Sequence, residues 1–252
     1  MSMFYEGETR ESYEYIPSVT TGVVKQNHED EHPGMVKVDY FLGQEGKNVS
    51  GWVPVVSPYA YNDCGLYLLP EVGAEVVIAF NMGDRNCPMV IGSLWNTKNA
   101  REKDIAKKDN PTKRFKTKGG SVVEFSDEKD KEKITIQTPK ETSIKIEDEN
   151  ETVTVADKDK KNSIIINIKD GSVSIKADKK VEMETGSSKV TLDSSGVTIK
   201  GDAINVEASN GLTLKGTTVK VDGTQTTVSG SSKTDVTSSG VTSVKGSMVK
   251  LN

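Results

Sequence analysis

The sequence predicts an all-β protein in two parts, a small barrel followed by a long shaft of short strands. From Ser172 onward, pairs of apolar residues two positions apart recur at a short, nearly constant interval among Lys, Thr, Ser, Asp and Gly. Alternation with a period of two indicates strands with one buried face. A turn signal after every strand is typical of a β-solenoid or β-prism rather than a sandwich. The predicted stripe comprises Val173, Ile175, Val181, Met183, Val190, Leu192, Val197, Ile199, Ile204, Val206, Leu212, Leu214, Val219 and Val221.

The composition favours a fibrous body with a thin core over a disordered chain. Only 34% of the 252 residues are apolar and 6% are aromatic, yet the net charge is only -4. Disorder combines weak patterning with strong net charge, whereas this alternation is regular. A stripe two residues wide cannot close a core by itself. We therefore expect other copies of the chain to cover it.

The N-terminal third has a different sequence pattern, which predicts about five or six consecutive strands and no helix. A closed or nearly closed barrel is the economical arrangement, because closure removes sheet edges. A run rich in Lys, Asp and Glu then separates this barrel from the shaft. The predicted division is an arm over 1–16, a barrel over 17–97, a charged linker over 98–111, an upper prism over 112–171 and a regular needle over 172–252.

The lack of a recognisable targeting signal and the small number of cysteines predict a protein made in the cytosol. The first residues are polar and acidic, unlike a secretory signal, and no apolar run reaches membrane-spanning length. Only Cys64 and Cys87 occur, which is unlike a disulfide-rich secreted scaffold. Two free thiols are the favoured interpretation, with one disulfide as the alternative.

The sequence offers little chemistry for catalysis or for a metal site. His28 and His32 flank three acidic residues in HEDEH, but Pro33 follows at once, which favours a solvated acidic turn. No histidine occurs beyond residue 32, so the Ser and Asp residues of the shaft have no base for a triad. The chain also lacks a phosphate-binding loop and the CxxC and HExxH motifs. We predict no enzyme activity, metal or cofactor.

Nucleic-acid binding is a rival use of a small barrel, and the sequence argues against it. Such binding needs a basic groove with stacking aromatic residues. The chain is acidic, with a pI of about 5.4, and its grouped tyrosines Tyr59, Tyr61 and Tyr67 stand beside prolines.

An ordered series of motifs in the barrel region resembles one family. MVKV, GWVPVV, PEVGAEVVIAF and PMVIGSLWN follow one another as in the oligonucleotide/oligosaccharide-binding (OB) domain of phage central spike proteins, VgrG proteins and baseplate assembly protein V. The next segment, KGGSVVEFSDEKDKEKITIQTP, is similar to the start of the shaft in those proteins. The motif residues in the barrel are Trp52, Pro70, Gly73, Phe80, Gly83, Gly92 and Trp95.

The resemblance implies a homotrimeric spike of a contractile injection machine, such as a phage tail, a tailocin or a type VI apparatus. Such a needle leads the inner tube through a target envelope, and its apolar stripe forms the axial core. Without a fused hub or an inserted lysozyme domain, the chain is expected to bind a separate hub protein at its N-terminal end. It is expected to be assembled into a baseplate and then to be extracellular, part of a virion, or injected.

The C-terminal end is expected to receive a PAAR-type tip protein, because it ends on an alternating strand with no cap of its own. The predicted docking residues are Met248, Val249, Lys250, Leu251 and Asn252. An iron-binding His-x-His tip is excluded by the absence of histidine from this region. A trimeric tail fibre or adhesin that binds a receptor is the alternative function, although such proteins normally end in a globular head.

Overall fold

The computed structural model describes residues 18–41 and 46–250, which form two units divided between Asp178 and Lys179. Apart from a 3-10 turn at Asn81–Gly83, the regular structure in these ranges is strand. No helix in the described part of the chain is long and apolar enough to cross a membrane. The strands are β1 (Thr20–Gln26), β2 (Met35–Tyr40), β3 (Val53–Pro54), β4 (Ala60–Tyr61), β5 (Cys64–Gly65), β6 (Glu75–Phe80), β7 (Pro88–Leu94), β8 (Thr112–Lys116), β9 (Val122–Ser126), β10 (Lys133–Gln137), β11 (Ser143–Glu147), β12 (Thr152–Ala156), β13 (Ser163–Asn167), β14 (Ser172–Lys176), β15 (Lys180–Thr185), β16 (Ser188–Asp193) and β17 (Gly196–Lys200).

The N-terminal strands close into a five-stranded barrel. Strand β1 lies between β2 and β6, and the sheet order is β3-β2-β1-β6-β7 with antiparallel pairs. A parallel bridge between Val55 and Val90 joins the two ends of this sheet, and the Val56 N–H donates to the Val90 carbonyl at 2.8 Å. This topology confirms the predicted all-β class with an OB-type barrel at the start.

The barrel core follows from alternation along its strands. In β6, the residues Val76, Ile78 and Phe80 point inward while their neighbours are only partly buried. Each fully buried aliphatic side chain of this kind stabilises the fold by about 1.5–3 kcal/mol. The complete core comprises Val24, Val36, Val38, Tyr40, Val53, Val76, Ile78, Phe80 and Val90, with Val55 and Leu69 packed against it.

Glycines permit two features of the barrel that other residues would disturb. At Gly22, an added Cβ would lie 2.6 Å from both the Asp39 carbonyl oxygen and Val38 Cγ1, so β1 can approach β2 here only without a side chain. Gly73, before β6, has a φ of +90°, a conformation that L-residues rarely adopt.

The charged segment 98–111 is tied to the first shaft strand. Arg114 on β8 donates from Nη1 to Glu102 at 2.5 Å and from Nη2 to Asp104 at 3.1 Å, while its Nε binds Glu124 on β9 at 2.5 Å. Lys116 also pairs with Glu102. Hydrogen bonds from Lys116 and then Arg114 lower the pKa of Glu102, and that of Asp104 is lowered chiefly by Arg114. This stretch, predicted as a linker, thus has a defined anchor.

Strands β8 to β14 form a seven-stranded antiparallel meander in simple sequence order. Short charged turns connect them, and several carry a residue with positive φ, including Asp130, Glu141, Glu151 and Lys160. The sequence division placed Ser172 at the start of a separate needle. In the structure β14 (Ser172–Lys176) instead completes the meander by pairing with β13, since its alternation matches that strand in register.

The second unit begins with a three-stranded antiparallel sheet in the order β15-β16-β17. Beyond it, no pairing between strands of the chain itself occurs over 201–250, all of which the structure describes. The sequence predicts short strands there, for example around Ile204 and Val206. The segment has the required alternation, but a strand is stabilised only by a partner, and the residues that the structure describes supply none.

Candidate functional site

One face of the meander carries two continuous rows of apolar side chains. The register brings Ile136 opposite both Ile144 and Val123, and Ile134 opposite both Ile146 and Phe125. The same pairing continues through every hairpin of the sheet. One row comprises Phe125, Ile134, Ile146, Val153, Ile166 and Val173, and the other comprises Phe115, Val123, Ile136, Ile144, Val155, Ile164 and Ile175.

This apolar face is uncovered, although the polar face behind it contains buried groups. Exposure on the apolar face runs from 38% at Ile134 to 66% at Val173 among its clearly exposed residues. On the opposite face, Thr135 is only 8% exposed and Ala156 only 5%. A contiguous exposed apolar patch of this kind marks an interaction surface, because soluble monomers rarely tolerate one. The face is therefore the candidate functional site.

The polar face of the meander carries charged side chains on its first four strands. An open groove of about 470 Å³ is lined there by Arg114, Lys116, Glu124, Lys133 and Lys145, among others. The three carboxylates around Arg114 also affect the pKa of its guanidinium. Burial alone lowers the pKa of Arg114, but their hydrogen bonds outweigh it and leave the pKa raised. Arg114 thus keeps its charge on this face.

The three-stranded sheet of the second unit repeats the same two-faced design. Val190 on β16 lies opposite Met183 and Ile199, and Leu192 lies opposite Val181 and Val197. The other face carries charge, where Lys189 contacts Glu182 at 2.8 Å and Glu184 at 3.2 Å. Hydrogen bonds from Lys180 and then Lys189 lower the pKa of Glu182.

The segment 201–250, which we call the needle segment, bends at regular intervals. The backbone turns at Asp202, Thr217, Ser232 and Ser247, which are spaced 15 residues apart, and a second series of bends lies midway between them. Each 15-residue repeat therefore consists of two unbent stretches. The second series falls at Ser209–Asn210, Thr224–Gln225 and Ser239–Gly240.

Within each stretch, alternate residues belong to two faces. Lys220 contacts Asp222 at 2.8 Å and Lys233 contacts Asp235 at 2.6 Å, so residues two apart lie on one side, as in a strand. All charged residues from Ala203 to Lys250 fall in this set, which we call the charged phase. The intervening set, the apolar phase, holds Ile204, Val206, Leu212, Leu214, Val219 and Val221.

The structure distributes the fourteen predicted stripe residues over three settings. Val173 and Ile175 lie on the meander face, and the six from Val181 to Ile199 form the cross-strand pairs of the three-stranded sheet. The six from Ile204 to Val221 share a phase but are not brought together by the chain itself. Sequence reasoning named no core residue between Phe115 and Ile166. The alternation in VVEF, ITI, SIKI, TVTV and SIII was the signal that could have found them.

The predicted tip residues are placed only in part. Met248 and Val249 are exposed, and Leu251 and Asn252 lie outside the described residues, as does the predicted arm over 1–16. Among the barrel motif residues, Trp95 stands beyond the end of β7 and is 69% exposed. Gly92 lies within β7, and the bridge that joins the two ends of the barrel sheet is formed by Val55 and Val90.

A second exposed surface lies on the barrel, around the β4–β5 hairpin. It contains an open groove of about 650 Å³ whose lining includes Tyr59, Leu66 and Tyr67. Cys64 in this hairpin is a free, exposed thiol with the Tyr59 hydroxyl 3.3 Å away. Cys87 is also free, and its pKa is raised chiefly by the nearby Asp84 carboxylate.

The HEDEH turn forms an aromatic cluster with the neighbouring strands. The rings of His32 and Trp52 lie 5.6 Å apart, and Lys37 Nζ stands 4.8 Å from the centre of the Trp52 ring. No group of three or more His, Cys, Asp or Glu residues within 18–41 and 46–250 is arranged to hold a metal ion.

Comparisons with known proteins agree with the barrel topology. Residues 20–95 match the type VI secretion system/phage-baseplate injector OB domain. The chain is 35% identical over 85 residues to the type VI secretion system spike protein VgrG5 of Pseudomonas aeruginosa, which covers 32% of this chain and 11% of that protein. It is 26% identical over 126 residues to VgrG1c of the same organism, covering 46% of this chain and 17% of the relative. These matches span less than a fifth of the relatives' own length.

Proposed function

We propose, since this chain belongs to the spike family of VgrG and phage-baseplate proteins, that it acts as the homotrimeric needle of a contractile injection machine. The family is one of structural spike proteins rather than a known enzyme family. A role in a type VI or phage-baseplate spike is therefore the starting point. The trimer, the puncturing action and the partners are the proposal.

The observation that carries the proposal is the uncovered pair of apolar rows on the meander. Ile136 and Ile144 are typical members, nearly half exposed and paired across β10 and β11. Three such faces turned toward a common axis would bury all the rows at once. The charged turns and the polar faces would then remain outside.

The needle segment supports three copies rather than two. An extended segment has hydrogen-bonding groups along both edges, and this one forms no strand pair with the other residues of its chain that the structure describes. A two-chain pairing would leave one edge of each segment open. A closed ring of three segments would satisfy both edges and enclose the apolar phase.

The mechanical role follows from this assembly. A shaft whose backbone hydrogen bonds run between chains resists bending and peeling, because many bonds must break together. In the proposed machine the barrel end is bound by a separate hub protein, and a PAAR-type protein docks at the other end through Met248 and Val249. The spike would be made in the cytoplasm, assembled into a baseplate and driven through a target envelope.

The test is the solution mass and its dependence on the apolar face. We expect a species of three times 27.3 kDa by light scattering, resistant to detergent until heated. Ile136→Asp should abolish this trimer, because the charge would be buried at three symmetry-related positions. Gln137→Asp, one residue along on the opposite face, is the matched control and should leave the mass unchanged.

A monomeric wild-type chain would reject the proposal. Trimers that persist unchanged in Ile136→Asp would show that another surface holds the copies together. In the isolated chain Ile136 is 46% exposed, so the barrel should fold normally in this variant, and its near-ultraviolet circular dichroism checks that point.

A further inference from the structure

The apolar phase of the needle segment is interrupted by hydroxyl side chains. Advancing 15 residues from Leu212 and Leu214 gives Thr227 and Ser229, and advancing 15 from Val219 gives Thr234, whereas Val221 leads to another valine, Val236. Thr242 occupies the same phase one repeat later. We call residues 227–242 the polar section. Before it, from Ile204 to Val221, these positions are held by Ile, Val and Leu.

The valines of this region restore only part of the missing apolar surface, since Val236 is the one valine within 227–242 that lies in the apolar phase. Val228 and Val241 belong to the charged phase. Val228 corresponds to Thr213 one repeat earlier, and Val241 corresponds to Gly211 two repeats earlier. They are also the most exposed valines of the described needle segment, at 77% and 88%. The bends keep their 15-residue spacing through the polar section, so the phase does not shift to bring them inward.

A polar section weakens the proposed needle locally. A Thr or Ser hydroxyl turned toward an axial core replaces methyl groups that would pack there, and it needs its own hydrogen-bond partner. Because each position occurs three times around the axis, the loss is tripled within a few layers. Local opening in proteins occurs where few apolar contacts resist it.

We propose that the polar section is a built-in opening point, at which the distal part of the needle separates before the shaft above it. The inference rests on the proposed trimer. It divides the needle into a cohesive proximal part, up to Val221, and a distal part that opens locally without dissociation of the whole spike. Binding of a partner at the distal end would be linked to closure of this section, since a ligand of the closed state stabilises it.

The chain contains a matched pair of reporters for the test. Lys220 and Lys233 have side-chain exposures of 77% and 74%, and each contacts an Asp two residues ahead. Lys233 directly follows the bend at Ser232, whereas Lys220 lies three residues after the bend at Thr217, so the variants below separate the effect of position from that of the apolar-phase residues. The intact trimer is treated with a lysine-specific protease, and cleavage at each site is normalised to that of the unfolded chain. We expect Lys233 to be cut about tenfold faster than Lys220.

The site of opening should change when the hydroxyl residues of the polar section are replaced by valine. It should also change when hydroxyl residues are introduced into the proximal part. The triple variant Thr227→Val, Ser229→Val, Thr234→Val should slow cleavage at Lys233 to the level at Lys220. Thr226→Val with Thr237→Val, both in the charged phase, is the matched control and should leave the difference in place. In the reverse variant, Val219→Thr with Val221→Ser, Lys220 should be cut as fast as Lys233.

Each result decides between the two proposals. Equal cleavage at Lys220 and Lys233 in a wild-type trimer overturns the opening point and leaves the spike intact. A difference that survives the triple variant also overturns it, since the hydroxyls would then not be its cause. If the triple variant does not fold, the reverse variant gives the same decision. A monomer by light scattering overturns the proposed function itself.

Discussion

Arg114 on β8 and Glu124 on β9 face each other on the polar side of the meander, with 2.5 Å between Arg114 Nε and the Glu124 carboxylate. The other two nitrogens of the guanidinium hold Glu102 and Asp104 of the charged segment. One side chain thus connects the segment that follows the barrel to the first hairpin of the shaft. The planar fork of Arg suits this use, since it serves several carboxylates at once.

Arg114→Gln should therefore release the 98–111 segment without unfolding the barrel. The change removes the charge that holds three carboxylates, and proteolysis after Lys103 and Lys107 should become several-fold faster. Lys131→Gln is the control, because Lys131 is exposed and its ion pair is with Glu149, outside the segment. Unchanged proteolysis in Arg114→Gln would show that the segment is held by something else.

The same anchor should weaken in acid. The pKa values of Glu102 and Asp104 are lowered from 4.5 and 3.8, so their contribution to stability is complete above those ordinary values. It is lost as the pH falls below about 4 and the carboxylates take up protons in the folded state. Hydrogen exchange of the segment, followed from pH 7 to pH 3, should show this loss in wild type. The loss should be smaller in Arg114→Gln, where Asp104 has no Arg114 partner while Lys116 still pairs with Glu102. Equal pH profiles for the two proteins would contradict the prediction.

Gly22→Ala should destabilise the barrel by about 1–3 kcal/mol. The new methyl group would stand 2.6 Å from the Asp39 carbonyl oxygen, a backbone atom that can move only with β2. Chemical denaturation of the two proteins measures the difference in free energy of unfolding. Gly51→Ala is the control, since a Cβ there meets nothing within 4 Å. Equal stability of the Gly22 and Gly51 variants would mean that β1 and β2 separate more easily than the structure indicates.

A charge in the apolar phase of the needle segment should loosen the trimer. Leu214→Asp would place three carboxylates around one axis, at a cost of several kcal/mol in total. The temperature at which detergent dissociates the trimer should fall markedly. Lys215→Asp, one position along in the charged phase, should change it little. Equal detergent resistance of the two variants would reject an axial core built from this phase.

Removal of the last five residues, 248–252, should abolish capture of a PAAR-type protein while leaving the trimer mass intact. Met248 and Val249 are exposed apolar residues, and most of the proposed interchain contacts involve residues before 248. A pull-down with the co-expressed tip protein measures the effect. Retained capture by the truncated trimer would place the docking surface elsewhere.

Much of the fold could be predicted from alternation alone. The inward residues of β6 stand at every second position in EVVIAF, and the apolar pairs of β15 to β17 are evident as VEM, VTL and VTI. The boundaries between the parts of the shaft were harder to predict from the sequence. The sequence separated Ser172–Lys176 from the preceding strands, whereas pairing with β13 depends on register between two segments, which a local pattern does not contain.

The sequence by itself determined which residues alternate, which turns are charged and which family motifs follow one another, because these are properties of neighbouring positions. Only the tertiary structure decided that Val55 and Val90 close the barrel, that Arg114 anchors the charged segment, and that the apolar rows from Phe115 to Ile175 align across seven strands. Each of these depends on contacts between segments distant along the chain. Such contacts are fixed by closure, register and charge pairing in space rather than by local preference.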